Sequence, residues 1–459
     1  MSAQREHRSP MNAIVITFDR LPTSFLACYG NSWIETPNFD RLAARSATFH
    51  QHFAESLTLD TARHAWWSGC YESRRSGEPQ TRDWLPALLA SRGIAVRLLL
   101  ESGAEEEQSA RELSRLFPNC AELVAGADGL DVSPDDTPFL RLVARAQRDL
   151  RLLRTSRSEP WLLWIKSRGV PVPWLPPTEY ARRFLDIEED EPDDEPANED
   201  TDEDDETDEL EEEEEEEEEE SDGTLLEMSD SQFEDLLRSA AALPQGRALR
   251  DAMTDFDRAL TRKVLGGYVA LLDTGLGRLL ETIEQSAASS PTLVLLTAAH
   301  GLSARDSGVL RDEWEQSADE IVHTPLMIRP AGLNHGMRRQ SLTLPLDLFP
   351  TLLEWFGVEG PATALEGQSL LPAIRGQQSE PRRLAFGADG QSIQTVRTAD
   401  HYFVQKSAEQ GSEPARRLFA KPEDAWEVND LAGQMPQLVE ELAGESERFL
   451  GGRQTQTGP

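Results

Sequence analysis

Residues 12–30 read NAIVITFDRLPTSFLACYG, and this stretch decides the fold. The run from Ile14 to Thr17 is apolar and β-branched, the pattern of a strand buried on both faces of a parallel sheet. It ends at Phe18-Asp19-Arg20, where the chain turns. In open α/β sheets, ligands sit beyond the carboxyl ends of the strands. Asp19 therefore stands where such a fold places its chemistry.

Working outward, Thr36-Pro37-Asn38 has the composition of a helix start, and Phe39, Leu42, Ala43 and Phe49 follow at roughly helical spacing. DWLPALLASRG (83–93) reads as a helix and IAVRLLLE (94–101) as a strand, while 104–158 reads as helical and charged. PWLLWIK (160–166) and PTLVLLTAAHG (291–301) read as buried strands. Residues 248–285 form a long helical pattern, with Val264, Tyr268, Leu271, Leu272, Leu276, Leu279 and Leu280 at three- and four-residue steps. DLFPTLLEWFG (347–357) reads as a helix. Residues 383–432 read as short strands, and a last helix falls near 436–450.

The chain has 459 residues, enough for one large α/β domain and a smaller one. Its formal charge is −38, but residues 186–222 hold 28 Asp or Glu and no Lys or Arg. Removing them leaves 55 acidic against 45 basic residues, a net of about −10 that is ordinary for a globular protein. The tract includes ten consecutive Glu (211–220). It has little apolar area to bury and repels itself, so disorder is expected. It reads as a solvated insertion within one domain, with capture of a basic partner as the alternative. Negative charge even outside the tract disfavours nucleic acid. Three cysteines (28, 70, 120) give neither a disulfide framework nor a zinc signature. MSAQREHRSP lacks an apolar signal core and no run reaches membrane-spanning length, so a cytoplasmic protein is expected.

Strand, aspartate, Cys28-Tyr29-Gly30 and then GNSWIETPNFDRLAARSATFHQHF (30–53) together resemble the sulfatase family of the alkaline-phosphatase superfamily. The similarity resumes at 260–300, at DEIVHTPLMIRPAG (319–332) and at 341–376, with its LEGQSLLPAIRG turn (365–376). The resemblance implies a mixed β-sheet between helical layers over 11–380, preceded by a polar lead (1–10) and followed by a small antiparallel subdomain (381–459). It also implies a Ca or Mg ion and a Cys or Ser nucleophile oxidised to formylglycine.

The chemistry departs from the framework. In SLTLDTARHAWWSG (56–69), Arg63 falls on the family's signature arginine and Leu59 on its nucleophile, with Thr61 and Ala62 replacing the proline and serine. Leucine has no lone pair with which to attack. Thr58 is one residue away and is a candidate nucleophile after a one-residue slip, or a helix cap. The family's four metal positions map to Asp19, Arg20, Ala299 and His300. Its two active-site lysines are missing: none precedes Lys166, and none lies between Lys263 and Lys406. A substrate-facing His of the family maps to Pro171, in a loop that keeps Trp174.

A divalent ion needs several oxygen ligands, and a guanidinium repels it without deprotonating. No bound cofactor is therefore expected, with Asp19 and His300 as remnants of a metal site. Arg20 is expected in the ion's place as a fixed cation, paired with Asp19 and facing His300 and Arg63. The sequence thus points to a catalytically degenerate sulfatase-type protein that binds an anionic small molecule or a protein. One alternative is an active sulfuric-ester or phosphoester hydrolase with a threonine nucleophile. Another is an interaction protein working through its acidic tract.

Overall fold

The computed structural model describes residues 11–56, 58–74, 83–101, 121–153, 159–171, 174–184, 255–286, 290–302, 318–361, 365–377, 380–389, 392–407 and 413–451. The acidic tract lies outside them.

The opening stretch forms β1 (Asn12–Arg20), buried along nearly its whole length. It is hydrogen-bonded on one side to β5 (Trp161–Gly169) and on the other to β6 (Thr292–His300), both parallel to it. The other members of this sheet are β2 (Ala47–His52), β3 (Ala95–Glu101), β4 (Ala121–Val124), β7 (Leu326–Arg329) and β8 (Met337–Thr343). The order is β4-β3-β5-β1-β6-β7-β2-β8. Only β7 runs against its neighbours among these strands.

Alternation along β1 divides the core. Ile14, Ile16 and Phe18 face one helical layer, which holds α1 (Pro37–Ala43), α4 (Pro138–Leu153) and α5 (Asp255–Ser286). Ala13 and Val15 face the other, which holds α2 (Leu59–Ser68), α3 (Leu85–Ser91) and α6 (Leu348–Phe356). A fully buried strand can only be satisfied by helices on both faces, so the apolar run at 13–18 dictates this layering.

The second sheet is antiparallel, in the order β12-β11-β10-β9, built from β9 (Ala385–Asp389), β10 (Ile393–Arg397), β11 (His401–Lys406) and β12 (Ala415–Ala420). The last helix, α7 (Pro436–Gly451), packs on it through Val439, Leu442 and Ala443. Phe53, Ala54 and Tyr71 of the large domain share a cluster with Ala385, Tyr402 and Phe419, which seats the small sheet on the large domain. Among the described residues, no helix is long and apolar enough to cross a membrane.

Two sequence readings are corrected. The helix opened by Pro37 stops at Ala43, and Phe49 lies in β2, an interior strand of the sheet. The stretch read as helical through 104–158 contains β4, an edge strand added to β3.

The carboxyl ends of β1 and β5 touch at one glycine. Gly169 has φ +69°, and a Cβ there would lie 2.0 Å from the carbonyl oxygen of Arg20. The next residue, Val170, donates its N–H to that same oxygen at 3.0 Å. A side chain at 169 would meet both the left-handed backbone penalty and fixed backbone. Gly169→Ala is expected to destabilise the fold by about 2 kcal/mol or more, measured by urea denaturation. An effect within about 0.5 kcal/mol would mean that the strand ends are not held in this contact.

Candidate functional site

Four adjacent parallel strands, β3, β5, β1 and β6, end in charged or titratable residues: Glu101, Lys166 with Arg168, Asp19 with Arg20, and His300. The register sets Thr17 beside Lys166 and Arg20 beside both Gly169 and His300. Asp19 follows Ala13, Val15 and Thr17 on one face of β1, the face that Trp164 also covers through its indole N–H to Thr17 Oγ1 at 3.0 Å.

The contact at the centre is an ion pair. Lys166 Nζ donates to Asp19 Oδ2 at 2.5 Å, and the two side chains are 3% and 1% exposed. The sequence put Arg20 on Asp19; the structure places there the ammonium of Lys166, which the sequence suggested only as the last residue of a buried strand. Arg20 is paired in register with His300 on the next strand, and its charge helps keep that imidazole neutral.

His300 is pushed down to about 4, first by burial and then by Arg20, with Asp19 pulling the other way. Its Nδ1 lies 2.9 Å from the carbonyl oxygen of Gly301. A neutral imidazole with Nδ1–H given to that oxygen would leave Nε2 as its acceptor.

Beside the pair, Glu101 accepts from Ser167 Oγ at 2.6 Å, from the Arg168 backbone N–H at 3.1 Å and from Arg168 Nε at 3.0 Å. Arg168 also donates to Asp128 at 2.7 Å. Burial raises the Glu101 carboxyl, and Arg168 and Ser167 offset part of that rise. The family pattern has a lysine shortly after this strand; here a carboxylate and an arginine neutralise each other.

Helix α2 explains the nucleophile position. Thr58 is its N-cap: Oγ1 accepts from the Thr61 N–H at 3.3 Å. Thr58 Oγ1 is also 2.6 Å from Thr61 Oγ1, and Thr61 donates to Glu72. Leu59 is the first helical residue and packs against the core. Arg63, one turn further, is buried at 4% exposure. Its Nη1 donates to Asp60 at 3.1 Å, while Nε and Nη2 have no partner among the described residues. Buried guanidinium donors left open in this way favour an anion.

The residues do not fit the Ca or Mg ion that the family resemblance implies. Of the four mapped positions, Ala299 is a buried methyl in the apolar core, and Arg20 is a cation. His300 is a nitrogen donor, and an ammonium already sits on the Asp19 carboxylate. Hard divalent ions take six or more oxygen ligands. Among the described residues, no group of three or more His, Cys, Asp or Glu could hold a metal.

The retained motifs hold the framework. Tyr29 hydroxyl donates to the Phe49 carbonyl at 3.1 Å and accepts from the Leu326 N–H at 2.8 Å, tying β2 to β7. The Cys28 thiol is pushed up to about 12 by burial and by Asp40, so it is inert as a thiolate. Gly69, the C-cap of α2, accepts N–H donations from Glu366 and Gly367 in the LEGQ turn at 3.1 and 3.0 Å. Pro171 is buried at the end of β5, and Trp174 packs at the margin of the core.

A double-mutant cycle tests the central pair. Lys166→Met leaves a buried carboxylate without its cation and is expected to cost about 3–5 kcal/mol. Asp19→Asn is expected to be costly in the same way, and the double variant to lie well short of the sum, with a coupling of about 2 kcal/mol. Additive effects in urea denaturation would show that the two charges do not pair.

Comparison with known proteins follows the same division. The sulfatase family model matches residues 11–358. Human iduronate 2-sulfatase is 23% identical over 422 residues, covering 76% of this chain and 70% of that protein. Arylsulfatase K of Xenopus laevis is 25% identical over 208 residues, 42% of this chain and 38% of the relative. A multifunctional alkaline phosphatase superfamily protein of Trinickia caryophylli is 32% identical over 110 residues, 24% of this chain and 21% of that one. The chain thus spans well under half the length of these last two curated relatives. Among solved structures, the phosphonate monoester hydrolase of Agrobacterium radiobacter superposes with a TM-score of 0.64 at 20% identity, covering 96% of each chain. BT4656, solved with its substrate D-glucosamine-2-N,6-O-disulfate, superposes with a TM-score of 0.67 at 17% identity, covering 98% of this chain and 99% of that one. With a family model matched over most of its length and an alkaline-phosphatase-type sheet to carry it, the chain belongs to the sulfatase family.

Proposed function

We propose that this chain is a catalytically degenerate sulfatase that binds an anionic ligand and does not hydrolyse its ester. The observation that carries the reading is the buried Lys166–Asp19 pair. Ester hydrolysis of the family's type needs a cation held against the ester oxygens and a nucleophile activated beside it. Here the surviving carboxylate is neutralised from within the protein, and the residue at the nucleophile position is Leu59. Binding places fewer demands on a site than chemistry does. Arg63, buried with two open donor nitrogens, supplies a charge-assisted contact for a sulfate, phosphate or carboxylate group. A protein partner carrying such a group would meet the same requirement.

One arrangement favours a second reading, an active hydrolase that uses Thr58. Its hydroxyl connects through Thr61 to the Glu72 carboxylate, a route by which a proton could leave Oγ1. The same hydroxyl caps α2, however, which commits one of its lone pairs. The acidic tract is a further candidate working part, for a basic partner.

Turnover of p-nitrophenyl sulfate and p-nitrophenyl phosphate separates the readings. With Mg²⁺, Ca²⁺ or Mn²⁺ supplied, the degenerate reading expects no rate above that of a heat-denatured control. A rate that disappears in Asp19→Ala or Thr58→Ala would overturn it and assign hydrolysis to this site.

A further inference from the structure

At the opposite pole of the large sheet, the amino end of β6 and the carboxyl end of β7 border a cavity of about 580 Å³. This is within the range of small-molecule sites. Thr292, on its wall, is eight residues along β6 from His300, roughly 25 Å at strand rise. The cavity is therefore separate from the strand ends that carry Asp19.

Its electrostatics are unbalanced. Arg45, Glu284 and Arg329 all line it. Glu284 is the acceptor for three guanidiniums: Arg41 makes a close ion pair with it, Arg45 Nη1 lies at 3.2 Å and Arg329 Nη1 at 4.0 Å. One carboxylate against three cations leaves a local excess of two positive charges. The Arg329 side chain is only 13% exposed, and its contact with Glu284 is the longest of the three. Burial lowers its pKa, Glu284 offsets part of that, and crowding by Arg45 and Arg41 adds to the lowering. A guanidinium so placed has donors to spare and a penalty that an anion would relieve. Around it, Pro291 and Leu333 offer apolar wall and Asn334 an amide.

We propose that this cavity is a second, non-catalytic binding site for a tetrahedral oxyanion borne on a small organic group, a phosphate or sulfate monoester. The anion would sit between Arg45 and Arg329 and compete with Glu284 for them. The organic group would rest on the Pro291 and Leu333 side. The bidentate fork of arginine suits phosphate and sulfate oxygens better than a lysine ammonium does, and the cluster is built of arginines alone.

Calorimetric titration with inorganic phosphate, and separately with inorganic sulfate, tests this on the full chain. Saturable binding of at least one of them is expected. Arg45→Ala should weaken it by about tenfold. Glu284→Gln should strengthen it, because it removes the competing carboxylate and leaves the shape unchanged. Arg63→Ala removes only the contact proposed at the pole that carries Asp19, so the component of binding that Arg45→Ala weakens should persist in it. The two anions distinguish a phosphate ligand from a sulfate one. Absence of saturable binding in the wild-type protein would overturn the proposal. So would titrations in which no component of binding responds to Arg45→Ala, or in which all binding vanishes in Arg63→Ala, which would assign it to the other pole.

Discussion

A single buried contact, Lys166 Nζ on Asp19 Oδ2, governs the functional reading. Taking one charge out of water costs several kcal/mol, and a carboxylate at the end of a fully buried strand must find a cation. A divalent ion is one solution and requires further oxygen ligands around it. This chain uses the other, an internal ammonium delivered by the neighbouring strand. Once Lys166 is there, the metal positions no longer need to be acidic. An alanine at 299 and an arginine at 20 then become tolerable. The same logic repeats one strand over, where Glu101 meets Arg168 and Ser167. The carboxyl edge of the sheet is thus a row of charges that largely satisfy one another.

What survives of the family pattern is what the fold needs. Tyr29 couples two strands through its hydroxyl, Gly69 ends α2 and receives the LEGQ turn, and Gly367 approaches so closely that a Cβ would meet the Leu346 carbonyl oxygen at 2.1 Å. These positions are constrained by backbone contact and hydrogen bonding whether or not any substrate is turned over. The catalytic positions carry no such constraint, and Leu59 shows it: at the first turn of α2 a leucine simply adds to the core. Arg63 is the exception. Its buried Nε and Nη2 have no partner among the described residues, and the proposed anionic ligand would satisfy them.

Much of this was legible in the sequence because local rules apply to it. The apolar run at 14–17 required a two-sided sheet, Pro37 opened a helix, and the three- and four-residue steps after Val264 gave the long helix α5. Thr58 as a cap follows from its place before a helical run. Phe49 misled because a single aromatic at helical spacing cannot distinguish a helix from the strand that follows it. The Lys166–Asp19 contact was not legible, since 147 residues separate the partners and only the strand register brings them together. A usable signal existed: Lys166 is one of only four lysines, and it ends a buried strand where a charge must have a purpose. The Arg168–Glu101 contact was hidden for the same reason, and Arg20, adjacent in sequence, was the cation expected on Asp19.

The most direct measurement is the number of divalent ions retained per chain. The protein is exposed to Ca²⁺, Mg²⁺, Mn²⁺ and Zn²⁺ in turn. It is then dialysed at high salt, which releases counterions held loosely by the acidic tract, and metal is assayed by mass spectrometry. The account expects no ion at stoichiometric level, because the Lys166 ammonium already occupies the Asp19 carboxylate. One ion per chain, lost in Asp19→Ala, would contradict it and restore this edge of the sheet as a metal centre.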